Sequence, residues 1–201
     1  MFLLRRPSLP VLQRFVRDAQ HAPLSYGPIG LARATPPGFD CDETIAAIGH
    51  GRADFDRARA AVNAWTPFAL GWVEVFPADA AIAVGTAVAV LIRHAGFWSL
   101  NGCRIVYVID EPGRAGFAYG SLVSHAEEGE EIFEVSIDPV SAEVRYRIRA
   151  VSRPRAALAR IGYPIVRMLQ ARFRRESAAA MARAMSGYYS SSPSARRSIS
   201  S

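Results

Sequence analysis

The chain of 201 residues contains no lysine; all 24 of its basic residues are arginine. That reads as the coding bias of a GC-rich source and excludes no partner. Cysteine is scarce as well. Cys41 and Cys103 cannot staple a small domain, and neither sits in a metal-ligand spacing. Both are expected to be reduced core residues of a cytoplasmic protein. No apolar run reaches the roughly 20 residues of a spanning helix. The longest, 80–92, is interrupted by Gly85 and Thr86. At the N-terminus Phe2–Leu4 precede Arg5 and Arg6, the reverse of secretory-signal order. No Gly-rich phosphate loop, dinucleotide fingerprint or Gly-x-Ser-x-Gly elbow is present. No cofactor and no metal site are therefore expected.

Half of the residues are hydrophobic and 21% are charged, which excludes wholesale disorder. One domain can bury a full core at this length. The formal charge of +6 is unevenly placed. Residues 153–201 hold ten arginines and one acid, Glu176, whereas residues 1–152 hold fourteen arginines and seventeen acids. The basic end suits a weak contact with an anionic membrane surface or an acidic partner; a solvated arginine face is the plainer reading. Nucleic acid is disfavoured, because no aromatic residues interleave with these arginines.

Leu12, Phe15 and Val16 share one face of an expected helix over 9–19. Residues 21–38 are rich in Pro and Gly and read as irregular. A strand is expected over 39–48, with Cys41, Ile45 and Ala47 on one side. A helix follows over 53–65. Phe55, Ala58, Val62 and Trp65 form its apolar face, Asp54 suits its first turn, and Pro67 stops it. Six further strands are expected over 71–76, 82–93, 98–109, 116–124, 131–137 and 143–152. In the last, Val144, Tyr146, Ile148 and Ala150 alternate with charged residues. Their connections are too short for parallel crossovers, so the strands should be antiparallel hairpins.

The chain is then expected to turn helical at Pro154, with Ser152 as cap, a break at 162–164, and continuation to about Met185 with Gly187 as C-cap. Ile161, Ile165, Met168, Leu169, Phe173, Met181 and Met185 form its stripe, and Arg153, Arg160, Arg167 and Arg174 recur every seven residues. About 22 residues of helix span about 33 Å, long enough to cover a sheet. The expected fold is α+β: a bent seven-stranded antiparallel sheet packed around the long C-terminal helix. A closed β-barrel is the structural alternative. Residues 1–23 would be a helical arm, 24–187 the domain, and 188–201 a disordered Ser/Arg-rich tail.

This element order resembles the helix-grip fold of the START and pollen-allergen superfamily, which implies a cavity between sheet and helix for an apolar ligand. The segment GFAYGSLVSHAEEGEEIF (116–133), the run Ala150–Pro154, and Gln170 resemble uncharacterised protein family 0548 over residues 24–186. The chain departs from that family's Thr-Leu-Pro-Gly-His-Pro pattern at Ser121, Val123, Ser124 and Ala126. The family brings no activity with it.

Two sets of site residues follow. Trp98, Tyr107, Phe117, Tyr119, Phe133 and Tyr146 are the candidates to line a cavity for a small apolar or amphipathic ligand. His125, Glu130, Glu131 and Tyr119 are the candidates for acid–base catalysis, should the same cavity be an active site. A carboxylate beside His125 would raise its pKa. The alternative for the glutamates is a solvated hairpin loop with Glu131 paired to an arginine of the next strand. Arg145, Arg147 and Arg149 are expected to face water.

Overall fold

Alternating apolar and arginine positions from residue 143 onward dictate a strand with one dry face. In the computed structural model, which describes residues 2–34, 36–125, 127–154 and 163–191, that strand is β8 (Glu143–Pro154). Before it come β1 (Phe2–Leu3), α1 (Leu9–Ala19), β2 (Asp40–His50), α2 (Arg52–Asn63), β3 (Val73–Phe76), β4 (Ala87–His94), β5 (Phe97–Glu111), β6 (Arg114–Ser121) and β7 (Glu127–Ile137). After it comes α3 (Tyr163–Ser191).

The sheet runs β2-β8-β7-β6-β5-β4-β3, every pairing antiparallel, with β1 attached to β5 off this path. It is open rather than barrel-closed: β2 and β3 are its two edges. Bulges between Ala47 and Gly49 and between Ile105 and Tyr107 sharpen its twist. Phe55, Ala58 and Val62 of α2 are buried against this face, with Phe117, Phe133 and Tyr146 from the strands and Met181 from α3. Tyr146 Oη lies 2.8 Å from Ser177 Oγ, joining α3 to β8 by a buried hydrogen bond. This is the helix grip that the element order implies. No helix among the described residues is long and apolar enough to cross a membrane.

Several local expectations need correction. Residues 82–86 are not strand, because Gly85 takes φ +92° and turns the chain, so β4 begins at Ala87. β7 begins at Glu127, four residues early, since Glu128 meets Arg153 across the β7–β8 ladder. Ser152 and Pro154 are the end of β8, paired with Gly129 and Glu127, so Ser152 is no helix cap. The expected helix over 155–162 lies outside the described residues. So does the tail beyond Ser191. α3 runs through Gly187 to Ser191 rather than stopping near Met185. Ile165 and Met168 are exposed on α3, not buried in its stripe. The first residues are docked: Phe2 pairs with Ser99, and Arg6 grips Glu74 with two nitrogens. On β2 the inward residues include Ala46 and Ile48, while Cys41 packs on the outer face and Ile45 is exposed.

The outer face of the sheet is covered too. Leu12 of α1 packs on Leu91 and Leu100. Residues 24–34 lie over Val106, Ile132 and Val151. Tyr26 of that segment lies directly over Gly120, where an added Cβ would meet its hydroxyl at 2.3 Å and its ring at 2.7 Å. Gly120→Ala should therefore displace Tyr26 and cost about 1–3 kcal/mol, the usual range for overpacking. Urea unfolding checks it; an unchanged midpoint would show that Tyr26 is not anchored there.

Candidate functional site

β7 carries five glutamates, and the strand pleat sends them to opposite faces. Glu128 pairs with Arg153 and Glu134 with Arg114, both on the outer face. Glu130 also points outward. It is 2% exposed and accepts hydrogen bonds from Tyr26 Oη (2.7 Å), Gly30 N–H (2.9 Å) and Ala32 N–H (3.2 Å). Glu127 and Glu131 point inward, under α3. The expectation that Glu130 and Glu131 act together is thus corrected: neighbouring residues of a strand face opposite ways, and Glu130 anchors the 24–34 segment instead. Nor does Glu131 pair an arginine of the next strand; it meets Tyr119.

Under the first half of α3 the described residues line a half-open cavity of about 350 Å³. Phe68, Trp72, Val90, Ile92, Leu169 and Phe173 form its apolar wall. Its polar end is built by Tyr119 of β6, His125 of the β6–β7 turn, Glu127 and Glu131 of β7, and Gln170 of α3. The other end of the grip is filled by aromatic rings. Phe117 and Phe133 stack at 5.3 Å, Trp65 meets Phe117 at 4.9 Å, and Phe68 bridges Phe133 (5.0 Å) and Phe173 (5.2 Å).

Glu127 is 9% exposed. Gln170 Nε2 donates to its Oε2, while Oε1 is buried without a partner. Burial pushes its carboxyl up to about 7, against the opposing pull of Arg167 and of the Gln170 hydrogen bond. Glu131 Oε2 accepts from Tyr119 Oη at 2.6 Å. Burial lifts this carboxyl to about 7 as well, against the Tyr119 bond and the Arg174 charge. His125 behaves opposite to the expectation that a neighbouring acid would raise it. Burial lowers its imidazole to about 4, because desolvation outweighs its hydrogen bond to the Glu127 backbone. Nδ1 lies 3.0 Å from the Glu127 N–H and 3.1 Å from the Glu127 carbonyl oxygen, and the ring is neutral at pH 7.

One residue further back, Asp42 of β2 holds two arginines of α3. Arg167 Nη2 is 2.9 Å and Arg174 Nη2 3.1 Å from its Oδ1. Two arginines of the seven-residue repeat thus clamp the helix onto the sheet edge.

Among the six apolar candidates, Tyr119 lines the cavity. Phe117, Phe133 and Tyr146 lie inside the grip but within its packed end. Trp98 packs with Leu12 and Leu100, and Tyr107 packs with the 24–34 segment, both on the outer face. Arg147 and Arg149 also face outward, toward Glu43, but Arg149 is not solvated as expected, since the 24–34 segment covers it and accepts from it through the Ala32 and Ala34 carbonyls. Sequence reasoning held Glu127 only as one of the run of glutamates beside His125, without singling it out, and missed Gln170 as a site residue. The signal was available, since two-residue periodicity puts Glu127 and Glu131 on the same face as Phe133.

The comparisons agree with this architecture. A UPF0548 protein of Dictyostelium discoideum is 32% identical over 195 residues, covering 86% of this chain and 90% of that protein. Another, from Deinococcus radiodurans, is 32% identical over 197 residues, covering 92% and 98%. A hypothetical protein of known structure from Helicobacter pylori shares the fold at 13% identity, with TM-score 0.50 over 83% of this chain and 99% of that one. A domain of unknown function, DUF1990, matches residues 25–180, from the segment that Glu130 anchors to the second half of α3, and the chain belongs to that family.

Proposed function

We propose that the chain binds a small amphipathic ligand between the sheet and α3. The observation that carries this reading is the cavity itself. Its 350 Å³ sits within the roughly 300–1,000 Å³ typical of small-molecule sites, and it joins one apolar wall to one cluster of polar groups. The packed aromatic end supplies the rigidity that keeps such a space open. The anionic-membrane reading draws less support. Arg153, Arg167, Arg172 and Arg174 are ion-paired to Glu128, Asp42 and Glu176, which leaves Arg175 and Arg183 as the exposed arginines of the described part of α3 outside these pairs, and Arg155, Arg160, Arg196 and Arg197 lie outside the described residues.

Titration with the neutral fluorophore N-phenyl-1-naphthylamine tests the proposal. Saturable one-to-one uptake is expected. Val90→Trp from β4 and Leu169→Trp from α3 both project into the cavity and should each reduce affinity at least tenfold, about 1.4 kcal/mol. Uptake that survives both filled variants would place the probe elsewhere and overturn the reading. Native mass spectrometry of gently purified protein would reveal a retained ligand by its mass.

A further inference from the structure

The polar end of the cavity has an uneven charge balance. Tyr119 of β6, His125 of the β6–β7 turn, His94 of β4, and Glu127 and Glu131 of β7 line the cavity, and the charges of Arg167 and Arg174 from α3 and of Asp42 from β2 act on the two glutamates. Asp40, also on β2, is solvent-exposed. Both arginines are engaged by Asp42, while Arg174 Nη1 is buried without a hydrogen-bond partner. Three carboxyls therefore face two guanidiniums, and the half-buried imidazole of His125 has its Nδ1 against the Glu127 backbone. Glu127 lines the cavity, and its Oε1 is covered by protein atoms without a hydrogen-bond partner. An anionic head group would meet the carboxyls of Glu127 and Glu131 only in their neutral forms, because like charges in a desolvated space are costly. A cation would complete the pairing. Phe68 and Phe173 in the same wall are favourable surroundings for positive charge as well as for an alkyl body, and Trp72 beside them already carries the Arg172 guanidinium 4.4 Å over its ring.

We infer that the ligand carries a protonated amine, which docks on Glu127 and Glu131 while its apolar body lies along Phe68, Trp72 and Phe173. The inference rests on the ligand-binding reading above and narrows it to one chemical class. The ammonium donates to the carboxylates of Glu127 and Glu131, forming charge-assisted hydrogen bonds. The proton that an empty, buried carboxyl retains is released as the amine binds, so affinity rises with pH until the amine itself loses its charge.

Displacement of N-phenyl-1-naphthylamine by octylamine, octanol and octanoate, three probes of one chain length, tests it. At pH 8, octylamine should compete about tenfold or more tightly than octanol, with octanoate weakest. Lowering the pH to 6 should weaken octylamine several-fold and leave octanol nearly constant. Glu127→Gln should collapse the octylamine-to-octanol ratio toward one. Octylamine that fails to displace the fluorophore, or octanol or octanoate that matches it, overturns the amine assignment and leaves the cavity reading standing. A fluorophore that does not bind the unmodified protein overturns both.

Discussion

Glu130→Ala should lower the melting temperature by about 10 °C. The side chain is 2% exposed and accepts from one phenol and two backbone N–H groups of the 24–34 segment. Truncation leaves those three donors facing apolar surroundings. An unsatisfied buried polar group costs roughly 1–3 kcal/mol. Partial rehydration of the loosened segment limits the total to about 3–5 kcal/mol, and for a chain of this length each kcal/mol moves the midpoint by about 2–4 °C. Glu130→Gln should fall between, since its amide nitrogen turns a donor toward other donors. Thermal unfolding followed by circular dichroism gives the shift. The same variant separates an anchor from a site residue. Its carboxylate lies on the face opposite the cavity, so uptake of N-phenyl-1-naphthylamine at 15 °C should persist in Glu130→Ala. A loss below about 1 kcal/mol, or abolished uptake with unchanged melting, would contradict the anchoring role.

The contrast between Glu130 and its neighbours marks where sequence reasoning stops. Period-two alternation over 143–150 and the Phe55–Ala58–Val62 stripe were legible because each face meets a single environment, core or water. The long terminal helix was legible from length, and the antiparallel order from short connections. The glutamate run was not. A charged segment has low strand propensity, which hid the first four residues of β7, and its alternation is invisible when inward and outward residues are the same amino acid. Trp98 and Tyr107 misled for a related reason. A sheet covered on both faces carries aromatic residues on both, and their identity does not reveal which face holds a cavity. The two arginines on Asp42 came from a heptad spacing that by itself fits a solvated helix edge as well as a clamp.

Glu127→Gln should make the empty protein more stable above pH 7, by about 2–3 kcal/mol, and this gain should vanish near pH 5. The direction follows from proton counting. Burial raises the Glu127 carboxyl to about 7 in the folded chain, above its ordinary 4.5. Between those values the fold holds a proton that the unfolded chain has released, so its contribution is full below about 4.5 and is lost as pH climbs to about 7. Glu131 acts in the same direction, and His125, lowered to about 4, acts oppositely by destabilising the fold as pH falls below about 6.5. Two carboxyls outweigh one imidazole, so these groups together weaken the unmodified protein between pH 5 and 7.5. Substitution of glutamine keeps the shape and a partner for Gln170, and it removes one of the two losses. Urea unfolding at pH 5 and 7.5 reads the difference; a gain independent of pH, or a loss at pH 7.5, would show that Glu127 is not held in its neutral form. The same substitution should erase the preference for an amine. A residue that destabilises the empty fold while discriminating between ligands is the trade expected of a binding site rather than of a packing position.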